Sequence, residues 1–135
     1  MKFEDAYFTR FDFTEKQIIN NWENALRDLR IAKKDAIREV KFNYAYSAFI
    51  KAGMALLSFH KIKVKSVPGH HIKIIEKMSQ ILSDNSINDI GNAMRTKRNL
   101  DFYAGGVEVS EKECTEYLEF VNDTLDKIQK ILSFT

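Results

Sequence analysis

Between Met94 and Gly106 lie five residues of types that bind or process phosphate: Arg95, Arg98, Asn99, Phe102 and Tyr103. Guanidinium groups grip phosphate oxygens in pairs, an aromatic ring stacks on a base, and an amide reads a base edge or a sugar hydroxyl. At about 100° per residue, Asn92, Arg95, Arg98, Asn99 and Phe102 share one side of a helix, and Ile90, Ala93, Met94, Leu100 and Ala104 the other. The polar band could hold RNA or a nucleotide. An ordinary solvated face is the competing reading, and composition alone favours it, because surface arginines are common. Lys97 and Asp101 fall within the apolar side, four residues apart, where a partly buried structural ion pair is favoured over a catalytic one.

Chemistry on RNA by attack of a 2′-hydroxyl needs a base and an acid whose pKa lies near the working pH, as imidazole's does. Tyr103 carries a proton, but a phenol at about 10 is a poor base at neutral pH. On a continuous helix Tyr103 also sits about 140° from Arg98. The two converge only if the helix breaks at Gly105–Gly106 or a second subunit supplies one of them. The imidazoles are His60, His70 and His71. Neighbouring histidines at a helix start point in different directions, so at most one of His70 and His71 could reach a common site. A local hydrogen bond or an exposed position is expected for them. With Cys114 they lack a zinc-ligand spacing, and no phosphate-cradling glycine loop or nucleophile elbow is present. No metal and no cofactor is expected.

The elements that must position these residues are helices. One proline and five glycines leave few of the turn residues an all-β fold uses. Residues 1–13 form an aromatic-rich arm expected to pack on the surface. Thr14 and Gln17 make a capping box, and Ile18, Trp22, Ala25, Leu26, Leu29 and Ala32 then recur at helical steps. After a break near Lys34 and Asp35, a second helix runs to about His60. It is apolar around much of its girth, as suits a central helix or one shared with a partner subunit. Lys61 to Val67 alternates apolar and basic residues, but nothing evident offers a pairing partner, so a loop is expected. Pro68–Gly69 turns the chain into a third helix with a stripe of Ile72, Ile75, Met78, Ser79 and Leu82. The fourth begins near Ser86 and is expected to close at Gly105–Gly106. Ser110 and Glu113 form a second capping box, and Cys114, Leu118, Val121, Leu125, Ile128 and Leu132 give the fifth helix a packing seam. The fold predicted is all-α, a single up-and-down bundle of four to five helices.

A chain of 135 residues with 21 Lys and Arg against 19 Asp and Glu has the length of one domain and too even a charge to announce a nucleic-acid binder. Any basic patch must come from local arrangement. One cysteine forbids an internal disulfide. No leader pattern and no apolar run approaching the ~20 residues of a membrane span is visible, so a soluble, cytoplasmic protein is expected.

Tyr44-Ala-Tyr-Ser-Ala48 leading to Ala55-Leu-Leu57, the turn Pro68-Gly-His-His71, and the pair Arg98-Asn99 late in helix four resemble the HEPN family over most of the stretch from Asn24 to Leu132. The resemblance implies a helical bundle, a homodimer, and a place in RNA processing or toxin–antitoxin modules linked to a small nucleotidyltransferase. Catalytic members are metal-independent ribonucleases with an Arg, a polar neighbour and a His a few residues on. Arg98 and Asn99 match the first half of that pattern; where the His belongs, Tyr103 is the proton-bearing side chain. The resemblance thus implies an RNA or nucleotide phosphate site at Arg95, Arg98, Asn99 and Phe102, with ribonuclease chemistry resting on a degenerate Arg-Asn…Tyr motif. Its alternative is a non-enzymatic, dimeric interaction module that partners the nucleotidyltransferase.

Overall fold

The computed structural model describes residues 5–103 and 109–132, with the side chains of all but 101–103. It is an all-α bundle of helices α1 (Glu15–Lys34), α2 (Arg38–Phe59), α3 (His70–Leu82), α4 (Asn85–Tyr103) and α5 (Glu111–Leu132). A short antiparallel ribbon, β1 (Phe8–Arg10) with β2 (Ile62–Val64), is added at one end.

Both capping boxes form. The Thr14 amide donates to Gln17 Oε1 (2.9 Å) and the Gln17 amide to Thr14 Oγ1 (3.1 Å). Ser110 and Glu113 exchange the same two bonds at the start of α5. Free backbone amides at both helix starts are thereby satisfied. From there α1 buries Ile18, Trp22, Ala25, Leu29 and Ala32. Along the same face Asp28 is fully buried, accepting bonds from Ser47 Oγ and Lys51 Nζ of α2, each at 2.7 Å.

The second helix is the centre of the bundle. Its small residues Ala45, Ala48, Ala52, Gly53 and Ala55 are buried, and α1, α3, α4 and α5 all pack on it. Neighbours within the chain cover most of its apolar girth, while Tyr44, Met54 and Phe59 remain exposed. The α5 seam of Cys114, Val121, Leu125, Ile128 and Leu132 covers another side, with Phe120 packed against Phe49.

Four expectations change. Residues 62–64 are a strand, because the arm supplies the missing partner: Phe8 faces Val64, Thr9 faces Lys63 and Arg10 faces Ile62. The arm therefore enters the core, with Phe8 and Ile62 both buried. On α3, Ile74, Ile75 and Met78 face inward while Ile72 is exposed. On α4, Ile87, Gly91 and Met94 form the buried line, and Ala93 and Leu100 are exposed. Gly91 is the reason: a Cβ there would meet the Phe49 ring at 2.7 Å, so only glycine lets α4 settle so closely on α2.

Lys97 ion-pairs with Glu113 of α5, 3.0 Å away; the side chain of Asp101, its expected partner, lies outside the described residues. The Lys97 ammonium and the Ser110 amide hold the Glu113 carboxyl below its usual range. Gly105 and Gly106, the expected stop of α4, also lie outside the described residues.

Candidate phosphate-binding cleft

Settling Gly91 against Phe49 turns the next two turns of α4 toward the beginning of α3. Gly69, the residue before α3, has a left-handed backbone (φ 81°), which glycine adopts without steric cost. No side chain caps this helix and no acidic residue lies in its first turn. The His70 amide bonds back to the Val67 carbonyl (3.1 Å), while the next two amides, of His71 and Ile72, lie at the positive end of the helix dipole without a side-chain cap. Opposite them stand Arg95, Arg98 and Asn99 of α4, all half-buried. Together the segment 66–72 and these three residues enclose a cleft of about 540 Å³ whose lining, among the described residues, contains no carboxylate.

Each arginine is steadied differently. Arg95 donates through Nε to Asn92 Oδ1 (3.2 Å), and Asn92 in turn donates to the Asn88 carbonyl (2.8 Å). The terminal nitrogens of Arg95 are left facing the cleft without a partner among the described residues. Arg98 lies over the Tyr46 ring, 5.5 Å from its centroid, and makes no ion pair among the described residues.

The two neighbouring histidines separate in role. His70 bonds locally, Nδ1 to the Val67 carbonyl at 2.9 Å, which ties the turn to the helix start. His71 reaches across to α2, its Nδ1 3.0 Å from the hydroxyl of the buried Tyr46. Its remaining nitrogen, Nε2, is then the one open to a ligand. Burial pushes the His71 imidazole down to about 4, with His70, Arg98 and Arg95 adding to the effect. Burial likewise pushes the Tyr46 phenol up to about 12, against the pull of Arg98 and Arg95. At neutral pH the pair is an uncharged phenol bonded to an uncharged imidazole, and Arg95 and Arg98 bring positive charge to the cleft.

Of the residues singled out from the sequence, Arg95, Arg98 and Asn99 line this cleft. Phe102 and Tyr103 lie on the same unbroken helix, but their side chains are outside the described residues. Sequence reasoning passed over His71 and Tyr46 as functional groups. The motifs containing them were visible, but nothing in the spacing showed that residues 46, 71 and 98 meet. Among the described residues no group of His, Cys, Asp and Glu could hold a metal ion, and no helix is long and apolar enough to cross a membrane.

Fold and cleft define a class: an all-α bundle with two arginines and an imidazole lining one cleft. Compared as a whole, the chain matches no protein family, no curated protein and no solved structure.

Proposed function

We propose that the cleft binds a phosphate group of RNA or of a nucleotide. The observation that carries this reading is the convergence of Arg95, Arg98 and a helix start without a side-chain cap on one space that, among the described residues, no carboxylate lines. Guanidinium forks match phosphate oxygens, and amides at a helix start favour the same charge. Asn99 supplies an amide for a base edge or sugar hydroxyl, while Pro68 and Ile72 give the base an apolar wall. The test is fluorescence anisotropy with labelled single-stranded RNA. Arg98→Ala should weaken binding at least tenfold and lower the salt slope by about 0.7, the loss of one phosphate contact on a single strand. Unchanged affinity and slope in Arg98→Ala would reject the reading.

A second reading, metal-independent ribonuclease activity, draws on one further observation: His71 brings an imidazole to the cleft that holds Arg98. The resemblance to HEPN proteins supports the same chemistry, and His71 offers it an imidazole where Tyr103 offers a phenol, although burial holds the unliganded imidazole at about 4. An RNA phosphate between the arginines would offset their share of the opposition to protonation of His71, the largest share being burial; with Nδ1–H donating to the Tyr46 oxygen, Nε2 holds the lone pair that would take up the 2′-hydroxyl proton. Cleavage of a mixed RNA pool in the presence of a chelator should be lost in both His71→Gln and Arg98→Ala. Cleavage that survives His71→Gln, or that appears only in Tyr103→His, would remove His71 from the role. An absence of RNA binding altogether would favour the interaction module, checked by co-purification with a small nucleotidyltransferase.

A further inference from the structure

The outer face of the β1–β2 ribbon is unaccounted for by the cleft. Register places Thr9 opposite Lys63 on the face turned away from Phe8 and Val64. Continuing it, the Lys65 amide donates to the Tyr7 carbonyl (2.8 Å) and the Phe11 amide to the Lys61 carbonyl (3.0 Å). Tyr7, Thr9 and Phe11 therefore stand beside Lys65, Lys63 and Lys61. All three lysines are exposed while Ile62 between them is buried. The alternation has one face for the core and one for something anionic.

The aromatics on this face are already in contact with cations. Lys63 Nζ is 5.0 Å from the centroid of the exposed Phe11 ring, and Lys73 Nζ of α3 is 5.2 Å from that of Tyr7. Phe13 holds Phe11 edge-on at 4.6 Å. Among the described residues, Asp12 lies 3.6 Å from Lys61 with both side chains in open solvent, Glu76 lies 3.6 Å from Lys73, and Asp5 offers Lys65 its backbone carbonyl. Alternate residues of a strand are about 6.6 Å apart, on the scale of successive phosphates in an extended nucleic-acid strand. Basic residues interleaved with an accessible ring make a platform for single-stranded nucleic acid. The ribbon runs directly into the cleft, since Lys65 is followed by Ser66 and Val67, which line it.

We propose that this face is a track for single-stranded RNA leading into the cleft, with backbone phosphates along Lys61, Lys63 and Lys65 and an unpaired base stacked on Phe11. The inference rests on the phosphate reading of the cleft and assigns its ligand as a strand rather than a lone nucleotide. The full chain is titrated with labelled uridine dinucleotide and decanucleotide across a range of KCl, with polyglutamate as a competing polyanion. The decanucleotide should bind tighter than the dinucleotide. Lys63→Gln/Lys65→Gln should weaken it about tenfold and reduce its salt slope by about 1.4, with dinucleotide affinity unchanged. Phe11→Leu, which keeps apolar bulk at an exposed site, should also weaken the decanucleotide about tenfold. Arg98→Ala should weaken both oligonucleotides. If Arg98→Ala acts but the ribbon variants do not, the track is overturned and the cleft stands. If the ribbon variants act on the decanucleotide but Arg98→Ala acts on neither, the cleft reading falls and the ribbon remains an RNA surface. Competition by polyglutamate as effective as unlabelled RNA, or no RNA binding, overturns the track.

Discussion

Burial holds the His71 imidazole uncharged beside Tyr46, and His70, Arg98 and Arg95 add to the effect. The consequence for stability has a definite sign. Unfolded, His71 titrates near 6.5; folded, it does so near 4. Between these values the unfolded chain binds a proton that the native chain does not, so stability rises with pH across that window. The contribution of His71 is therefore complete above 6.5 and lost as the pH falls toward 4. Urea midpoints followed by fluorescence of Trp22, the sole tryptophan and a buried one, should fall over this range. His71→Gln should flatten the fall, and an equal pH dependence in that variant would show that another group titrates. Asp84 belongs to a lower window. Bonds from Lys127 and Ser86 hold its carboxyl at about 2, so its contribution is lost only as the pH drops below the ordinary carboxylate range.

Helices α1 and α2 are joined by apolar matching and by one polar clamp. Burial raises the Asp28 carboxyl, but hydrogen bonds from Lys51 and Ser47 outweigh it, and the group is held below its usual range. Asp28→Ala would leave both partners unsatisfied at the interface and should cost about 2 kcal/mol of unfolding free energy, the lower part of the range for a broken buried pair because Lys51 can turn to solvent. A loss below about half that would mean the clamp is replaced by water. The α4 contact on α2 is tighter still. Gly91→Ala gains roughly 0.5–1 kcal/mol of helix propensity but drives a methyl into Phe49, itself held by Phe120, at an overpacking cost of about 1–3 kcal/mol. The variant should be net destabilised in urea titrations and should also bind RNA more weakly, because α4 carries Arg95 and Arg98. Stability equal to the native chain would refute the close contact. These two elements differ in how well the sequence announced them. The stripe of α1 consists of side chains with unmistakable polarity, so its buried face was legible. The face of α4 turns on Gly91, whose importance is a missing side chain, and hydrophobic spacing assigned Ala93 and Leu100 to the core in its place.

At the scale of the molecule, α2 organises everything, and the cleft is assembled from segments far apart in the chain: Tyr46 on α2, residues 66–72 before and within α3, and Arg95 to Asn99 on α4. Periodicity identifies a helix from its own residues, which is why the bundle could be read. It carries no information on which helices touch, so the arginine band was legible while its meeting with His71 was not. The ribbon shows the same limit, since Lys61–Val67 alternates clearly but its partner precedes it by some fifty residues and is too short to alternate. A ligand that bridges α3 and α4 must stabilise the whole bundle, because it binds only when those segments are together. At a nucleotide concentration a hundredfold above its Kd the gain is about 2.7 kcal/mol, which for a domain of this size raises Tm on the order of 10 °C. Differential scanning fluorimetry with uridine monophosphate should show this shift, and Arg98→Ala, whose half-buried side chain supports little of the core, should remain folded and lose it. The same experiment reads the imidazole. An anion beside His71 favours its protonated form, so binding takes up a proton and the shift should be larger at pH 6 than at pH 8. A shift that survives Arg98→Ala would locate the phosphate elsewhere. One that vanishes with Arg98→Ala but is indifferent to pH would keep the phosphate between the arginines and remove His71 from contact with it.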